Sequence, residues 1–331
     1  MRDRVLDQAK GIAIFSVVAG HITSKDTWLT VWLYSFHIPL FLFVSGCLQA
    51  KRPSEFSWKF VRKEIRVLLY PFVVFSILKG LLNYGLTGKI QELIDPLIRV
   101  PLMAGDGALW YLPAFFLAML LFVALRTWRK KEWGLWVLII TIMISQTVSD
   151  HHPARMESVA YYINLINHVL ILCIFLFAGF LYERYRNRLP ETPWMILNYG
   201  VFLGTAFILS QVNQGVDIHY SDINNPLLFY SAAMLSCIGI IGLLRILNRN
   251  LPVLQYYGKN SLIVYLTHTT FHMTGMIKNL VIQVTDNMTL MIIFSTILVL
   301  LLEIPVIWFF NHWGRWLIHM PRKRHETVRS A

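Results

Sequence analysis

Charge is scarce in this chain, and negative charge scarcer still. Only 15% of its 331 residues are Asp, Glu, Lys or Arg, with 18 acidic residues against 30 basic ones. No stretch between the apolar runs is long enough to bury a core of its own, and neither an internal repeat nor a low-complexity segment occurs. With 56% of positions apolar, this excludes an ordinary soluble domain and points to one all-α polytopic membrane domain over 1–331. Cysteine is as sparse: Cys47, Cys173 and Cys237 all lie inside apolar runs, which excludes a disulfide framework. The formal charge of +12 would suit nucleic acid if the cations formed one patch. They sit instead in short clusters between apolar runs, as in membrane-protein loops, so no nucleic-acid partner is expected.

What is present is a series of ten spans, at roughly 8–23, 29–50, 67–86, 108–127, 133–149, 159–182, 194–212, 226–247, 258–281 and 289–314. With the N-terminus placed inside, 24 of the 30 Lys and Arg residues fall on inner segments. By the positive-inside rule both termini are then cytoplasmic. The opening MRDRVLDQAK and the short run after it superficially resemble a signal peptide, but Val17 to His21 makes a poor cleavage site. Residues 54–66 form a basic amphipathic stretch suited to the inner interface. Residues 87–107 are an outer loop with a surface helix around Gln91 to Met103, and the polar loop 213–225, without a cation, is also outer. The basic tail from about 315 to 331 reads as solvated and cytoplasmic.

Ionisable residues inside spans face a bundle interior or a wet cavity by default. In the first span, Lys10 and His21 are eleven residues apart, which on a helix puts them on one face about 16 Å from each other. His37, followed by Pro39, sits in the outer third of the second span, close behind a short loop. A neutral imidazole is a suitable general base for a hydroxyl, and equally a hydrogen-bonded packing residue; the face shared with Lys10 favours the base for His21. Lys10, with Asp7 one turn earlier, reads alone as a snorkelling charge. Joined by Arg62, Lys63 and Arg66 it would form an inner vestibule for a phosphorylated cytosolic cosubstrate. Tyr161, Asn164, Asn167 and His168 make a polar stripe that either lines a cavity for a polar acceptor or binds a neighbouring helix. Trp110 and Tyr111 are interfacial anchors or a sugar-stacking platform. His268 and His272, four apart on one expected helix face, have metal-ligand spacing but no third ligand, so no metal is expected, and His268 counts instead as an acceptor-side candidate. Glu303, near Pro305, is a buried carboxyl at a kink.

Several of these residues belong to longer motifs: Asp7-x-x-Lys10-Gly11-Ile12-x-Ile14, Val17-Val18-x-Gly20-His21, Ser35-Phe36-His37-Ile38-Pro39-Leu40-Phe41 and Ser45-Gly46. Later come Lys63-x-x-Arg66 with Leu68-Leu69-x-Pro71, then Leu109-Trp110-Tyr111-Leu112, and Gly258-Lys259-Asn260-Ser261-Leu262 running to Tyr265 and His268. In these motifs and their order the chain resembles the membrane-bound acyltransferase family 3, and within it the fucose 4-O-acetylase-like branch. The resemblance implies a multi-pass protein of the bacterial inner membrane. Such a protein moves an acyl group, usually acetyl from cytosolic acetyl-CoA, to a hydroxyl of a cell-surface or lipid-linked glycan. It implies no resident cofactor; acetyl-CoA is a substrate. The family signature is an arginine, ten residues and a histidine. Here Lys10 takes the arginine's place, and the usual Arg-x-x-Arg pair appears as Lys63-x-x-Arg66. Some relatives carry an extracytoplasmic esterase-like domain, which for this chain would be a separate partner or unnecessary.

On this reading Lys10, Lys63 and Arg66 hold the nucleotide end of the donor. His21 takes the acceptor proton or briefly carries the acetyl group, and His37 assists. The competing expectations are a flippase for a lipid-linked saccharide and a membrane scaffold. If charge is what matters at position 10, Lys10→Arg retains acetyl transfer while Lys10→Ala raises the donor concentration needed for half-maximal rate, as measured by titrating acetyl-CoA.

Overall fold

Long apolar runs in a medium without water must satisfy their backbone hydrogen bonds internally, and the helix is the local way to do so. The computed structural model describes residues 3–22, 27–51, 53–128, 159–188, 192 and 194–320. Among the described residues the architecture is all-helical, the one strand-like pairing being an isolated bridge between Asp217 and Asp222. In chain order the helices are α1 (Arg4–Gly20), α2 (Trp28–Lys51), α3 (Trp58–Thr87), α4 (Gln91–Arg99), α5 (Tyr111–Trp128) and α6 (Val159–Tyr185). They continue with α7 (Met195–Asn213), α8 (Pro226–Leu247), α9 (Pro252–Lys259), α10 (Ser261–Thr270), α11 (Met273–Val281) and α12 (Met288–His312).

Seven of these, α2, α3, α5, α6, α7, α8 and α12, contain segments long and apolar enough to cross a membrane. The expected first span is a shorter, 17-residue helix, almost wholly buried. The expected fifth span, 133–149, lies outside the described residues. The expected continuous span at 258–281 is corrected: it is three short helices, broken at Asn260 and again at Phe271 and His272. His272 sits at φ 54°, in the left-handed region, so the chain turns there and His268 and His272 do not share a helix face. The His272 Nε2 lies 2.9 Å from the Asn83 amide oxygen, away from His268.

Inside α3, residues Ile65–Leu69 form one π turn, closed by the Tyr70 N–H bonding to the Ile65 carbonyl. Pro71 follows directly and has no N–H to continue an α ladder, which accounts for the widened turn. The helix α4, with none of its residues buried, falls where a surface helix was expected. Its Ile94, Leu97 and Ile98 are exposed, while Gly80 of α3 meets its Glu92 and Pro96.

Small residues bring the central helices into backbone contact, as expected where lipid removes the hydrophobic drive between helices. A side chain on Gly46 of α2 would strike the Leu176 carbonyl, one on Gly179 of α6 the Phe43 carbonyl. The Cys47 thiol donates to the Gly179 carbonyl at 3.2 Å. The tightest approach holds α1. A Cβ on Gly258 of α9 would lie 1.7 Å from the Asp7 carbonyl oxygen, and one on Gly11 would lie 2.2 Å from that of Leu254.

A charged clamp closes the basic end of the bundle. Asp3 caps α1 by accepting from the Leu6 N–H at 3.1 Å and also takes a hydrogen bond from Lys51. Lys51 reaches Glu183 at 3.3 Å, and Arg245 reaches Glu183 at 2.7 Å and Asp3 at 3.8 Å. The ends of α1, α2, α6 and α8 are thereby joined. Partial burial alone would raise the Asp3 carboxyl, but the bonds from Lys51 and the Leu6 N–H, with the charge of Arg245, hold it below its ordinary value.

Two outcomes follow for stability. Gly258→Ala forces a methyl into the Asp7 backbone and lowers stability by about 1–3 kcal/mol, read as a lower Tm of the detergent-solubilised protein. A carboxylate depressed by folding stabilises above its unfolded-state pKa and loses that contribution as pH falls through the folded value. Asp3→Asn therefore flattens the acid side of the Tm-against-pH curve.

Candidate active site

The short connection from α1 to α2 places their polar groups side by side. Tyr34 of α2 donates to the Gly20 carbonyl at 3.2 Å and lies over Gly20, next to His21. His37, one turn further, is buried with Nδ1 2.7 Å from the Leu33 carbonyl. A carbonyl only accepts, so Nδ1 carries the hydrogen and Nε2 keeps its lone pair. His21, at the C-terminal cap of α1, is exposed.

These groups open into a cavity of about 520 Å³ at the end of the bundle opposite the clamp. Its wall contains His21, Tyr34 and His37 on one side, Trp110 before α5, and Asn164 and His168 from α6. Asp217 and His219 of the loop after α7 and Arg99 of α4 complete it. The loop is tied to α6: Ser221 donates to the Asn164 amide oxygen, and the Asn164 amide lies 3.4 Å from the His219 carbonyl. Trp110 is held between His168, at 4.6 Å between ring centres, and His219, at 5.2 Å. His168 is buried and its Nε2 has no hydrogen-bond partner. At the mouth Lys79 pairs with Asp106 at 2.6 Å, and Arg99 approaches the same carboxylate at 3.9 Å.

At the basic end lies a larger groove of about 1390 Å³. Arg62, Lys63 and Arg66 of α3 line it together, with Lys59 and Arg315 beside them. Trp58, Trp313 and Trp316 supply aromatic walls, with the Arg62 guanidinium 5.1 Å above the Trp58 ring. The groove thus carries mostly cationic side chains beside indole faces, with Glu55 also in its lining and Lys63 paired to Glu64 at 3.0 Å. Arg315 belongs to the segment expected to be a solvated tail; residues 321–331 of that tail lie outside the described residues.

The structure gathers His21, His37, Trp110, Asn164 and His168 in one cavity and Arg62, Lys63 and Arg66 in one groove. It does not bring Lys10 into that groove: Lys10 pairs at 3.2 Å with Asp7, which is buried against α9. Tyr111 turns into the core, stacked on Phe115 and facing Tyr265. His268 is fully buried and also does not line the cavity, and the Tyr161 side chain lies outside the described residues. Among the described residues no three His, Cys, Asp or Glu side chains converge to hold a metal ion. Sequence reasoning missed Tyr34, Lys59, Arg315 and the pair Asp217 and His219. The last two had a legible signal, an Asp-x-His in a polar loop without cations.

The model of the acyltransferase domain matches residues 3–310, nearly the whole chain. The chain belongs to this family, the membrane-bound acyltransferase family 3. The expected membership is thereby met. The chain is also similar to nodulation protein NolL of Mesorhizobium japonicum, 27% identical over 148 residues. That match covers 41% of this chain and 39% of NolL, so the alignment spans less than half of the curated relative. No solved structure matches the acyltransferase.

Proposed function

We propose that this protein is a multi-pass O-acyltransferase of a bacterial inner membrane that moves acetyl from acetyl-CoA to a hydroxyl of a glycan or lipid-linked saccharide. One observation carries the reading: a single cavity gathers His21, His37, Asn164 and His168 from three helices around Trp110, at the end of the bundle opposite a cationic, tryptophan-walled groove. The groove suits the nucleotide and phosphates of the donor. Positive charge concentrated at that end supports a cytosolic orientation for it by the positive-inside rule, in keeping with the expected cytoplasmic termini. From Arg66 to the level of Lys79, thirteen residues along α3, the rise is roughly 20 Å, a distance a pantetheine arm can span.

In this scheme the acceptor hydroxyl enters the cavity among the histidines. His21 removes its proton as the oxygen attacks the thioester carbonyl, and the proton passes to the departing sulfur. His37, its tautomer set by the Leu33 carbonyl, orients the hydroxyl through Nε2. Lys10 and Asp7 hold the first helix in register beneath His21. The motifs quoted above favour the fucose 4-O-acetylase-like branch, and a separate extracytoplasmic partner would be needed only if the glycan is modified beyond reach of the cavity.

Purified protein in lipid nanodiscs, given labelled acetyl-CoA and membrane glycolipids from a host lacking the gene, is expected to label a mild-base-sensitive ester. His21→Ala should lower the rate by about 10² to 10⁴ while the protein still inserts. Arg66→Ala should instead raise the donor concentration required. Normal labelling by His21→Ala refutes the assignment of the base; no ester, but translocation of a lipid-linked saccharide, refutes the enzyme in favour of a flippase.

A further inference from the structure

The mechanism above gives no step to two buried imidazoles, His168 in the cavity wall and His268 behind it. His268 lies in α10, a ten-residue helix isolated by a break on each side. Its ring is fully buried, and its Nδ1 is 2.7 Å from the Val264 carbonyl one turn back. The carbonyl requires the hydrogen on Nδ1, so Nε2 is a fixed acceptor with a lone pair. That nitrogen is buried and has no hydrogen-bond partner. The nearest ring recorded against it is the cavity histidine: the centres of His268 and His21 are 5.2 Å apart, inclined at 52°. A buried acceptor left open costs free energy, and it is retained here directly behind the proposed base.

The setting keeps His268 in place. Thr267, its neighbour, lies with its hydroxyl 2.8 Å from both Glu303 oxygens on α12 and 2.7 Å from the Ile263 carbonyl. Tyr265 is bonded to the Ala108 carbonyl just before the cavity's Trp110. The titratable groups around the ring are His21 from α1, Tyr265 on its own helix with Tyr111 of α5 behind it, and Glu303 from α12, reached through Thr267. Among the described residues no cation is paired with that carboxylate.

We infer that His268 is the positioning residue of His21, offering Nε2 to one ring N–H of His21 so that the other ring nitrogen faces the cavity as the base. This rests on the proposed acyl transfer. When His21 takes the hydroxyl proton it becomes an imidazolium with two N–H groups, one held by His268 Nε2 and the other beside the reacting atoms. The second proton goes to the thiolate as the carbon–sulfur bond breaks, leaving ester, free thiol and neutral His21. His268 keeps its single hydrogen throughout.

Two readouts test this on the full chain in nanodiscs. The first is the pH dependence of His21 modification by diethyl pyrocarbonate, followed by peptide mass spectrometry. His268→Ala should move the midpoint to lower pH, because the imidazolium loses its acceptor, and His268→Gln, which restores an acceptor oxygen, should recover part of the shift. The second is acetyl transfer: kcat should fall at least about tenfold in His268→Ala, with the acceptor KM unchanged and partial rescue in His268→Gln. An unmoved His21 midpoint in both variants overturns the inference. So does a raised acceptor KM with kcat intact, which would make His268 part of the acceptor site. If the unmodified protein transfers no acyl group while the midpoint still shifts, the pairing stands and the proposed function fails.

Discussion

The position of the first helix depends on a contact without side chains. Gly11 and Gly258 let the backbones of α1 and α9 touch, with the Asp7 and Leu254 carbonyls occupying the space where methyl groups would be. Lipid gives helices little reason to associate through apolar side chains, so close approach and dispersion must hold them. Because α1 carries Asp7, Lys10 and His21, that contact also sets the rotation of the helix on which the proposed chemistry sits. The clamp of Asp3, Lys51, Glu183 and Arg245 then fixes its axial position.

A second device recurs at the opposite end. His37 and His268 each spend Nδ1 on the carbonyl one turn earlier in their own helix. In a dry bundle this answers the polar demand of the ring locally, and it determines which nitrogen remains basic. The histidines thus need no carboxylate partner to set their tautomers. It also explains why acidic residues are so few near the cavity, Asp217 and Asp106 at its rim being the ones its wall shows.

Composition and apolar patterning were enough to read the helical class, the quoted motifs carried the resemblance to the family, and the intramembrane polar residues marked part of the cavity wall. His21, His37, Asn164 and His168 stood out because lipid makes each of them costly, and that cost is visible in a linear sequence. The division of 258–281 was not legible: Asn260 and His272 break helices without proline or glycine, and the left-handed turn at His272 depends on what surrounds it. Lys10 was read toward a shared vestibule because the helical wheel shows a face and not its neighbour; α9 occupies that neighbourhood. Tyr34 escaped because it looks ordinary in sequence and gains its place through the Gly20 carbonyl, whereas His219 stood in a legible Asp-x-His and only the fold shows that it packs on Trp110.

The short helix α4 has a consequence for where the cavity opens. Its Leu97 and Ile98 are exposed, while Arg99 in its last turn forms part of the cavity wall. One jamb of the doorway thus rides on a helix with an open apolar face, while the others belong to the packed bundle, so whatever meets that face bears directly on the width of the opening.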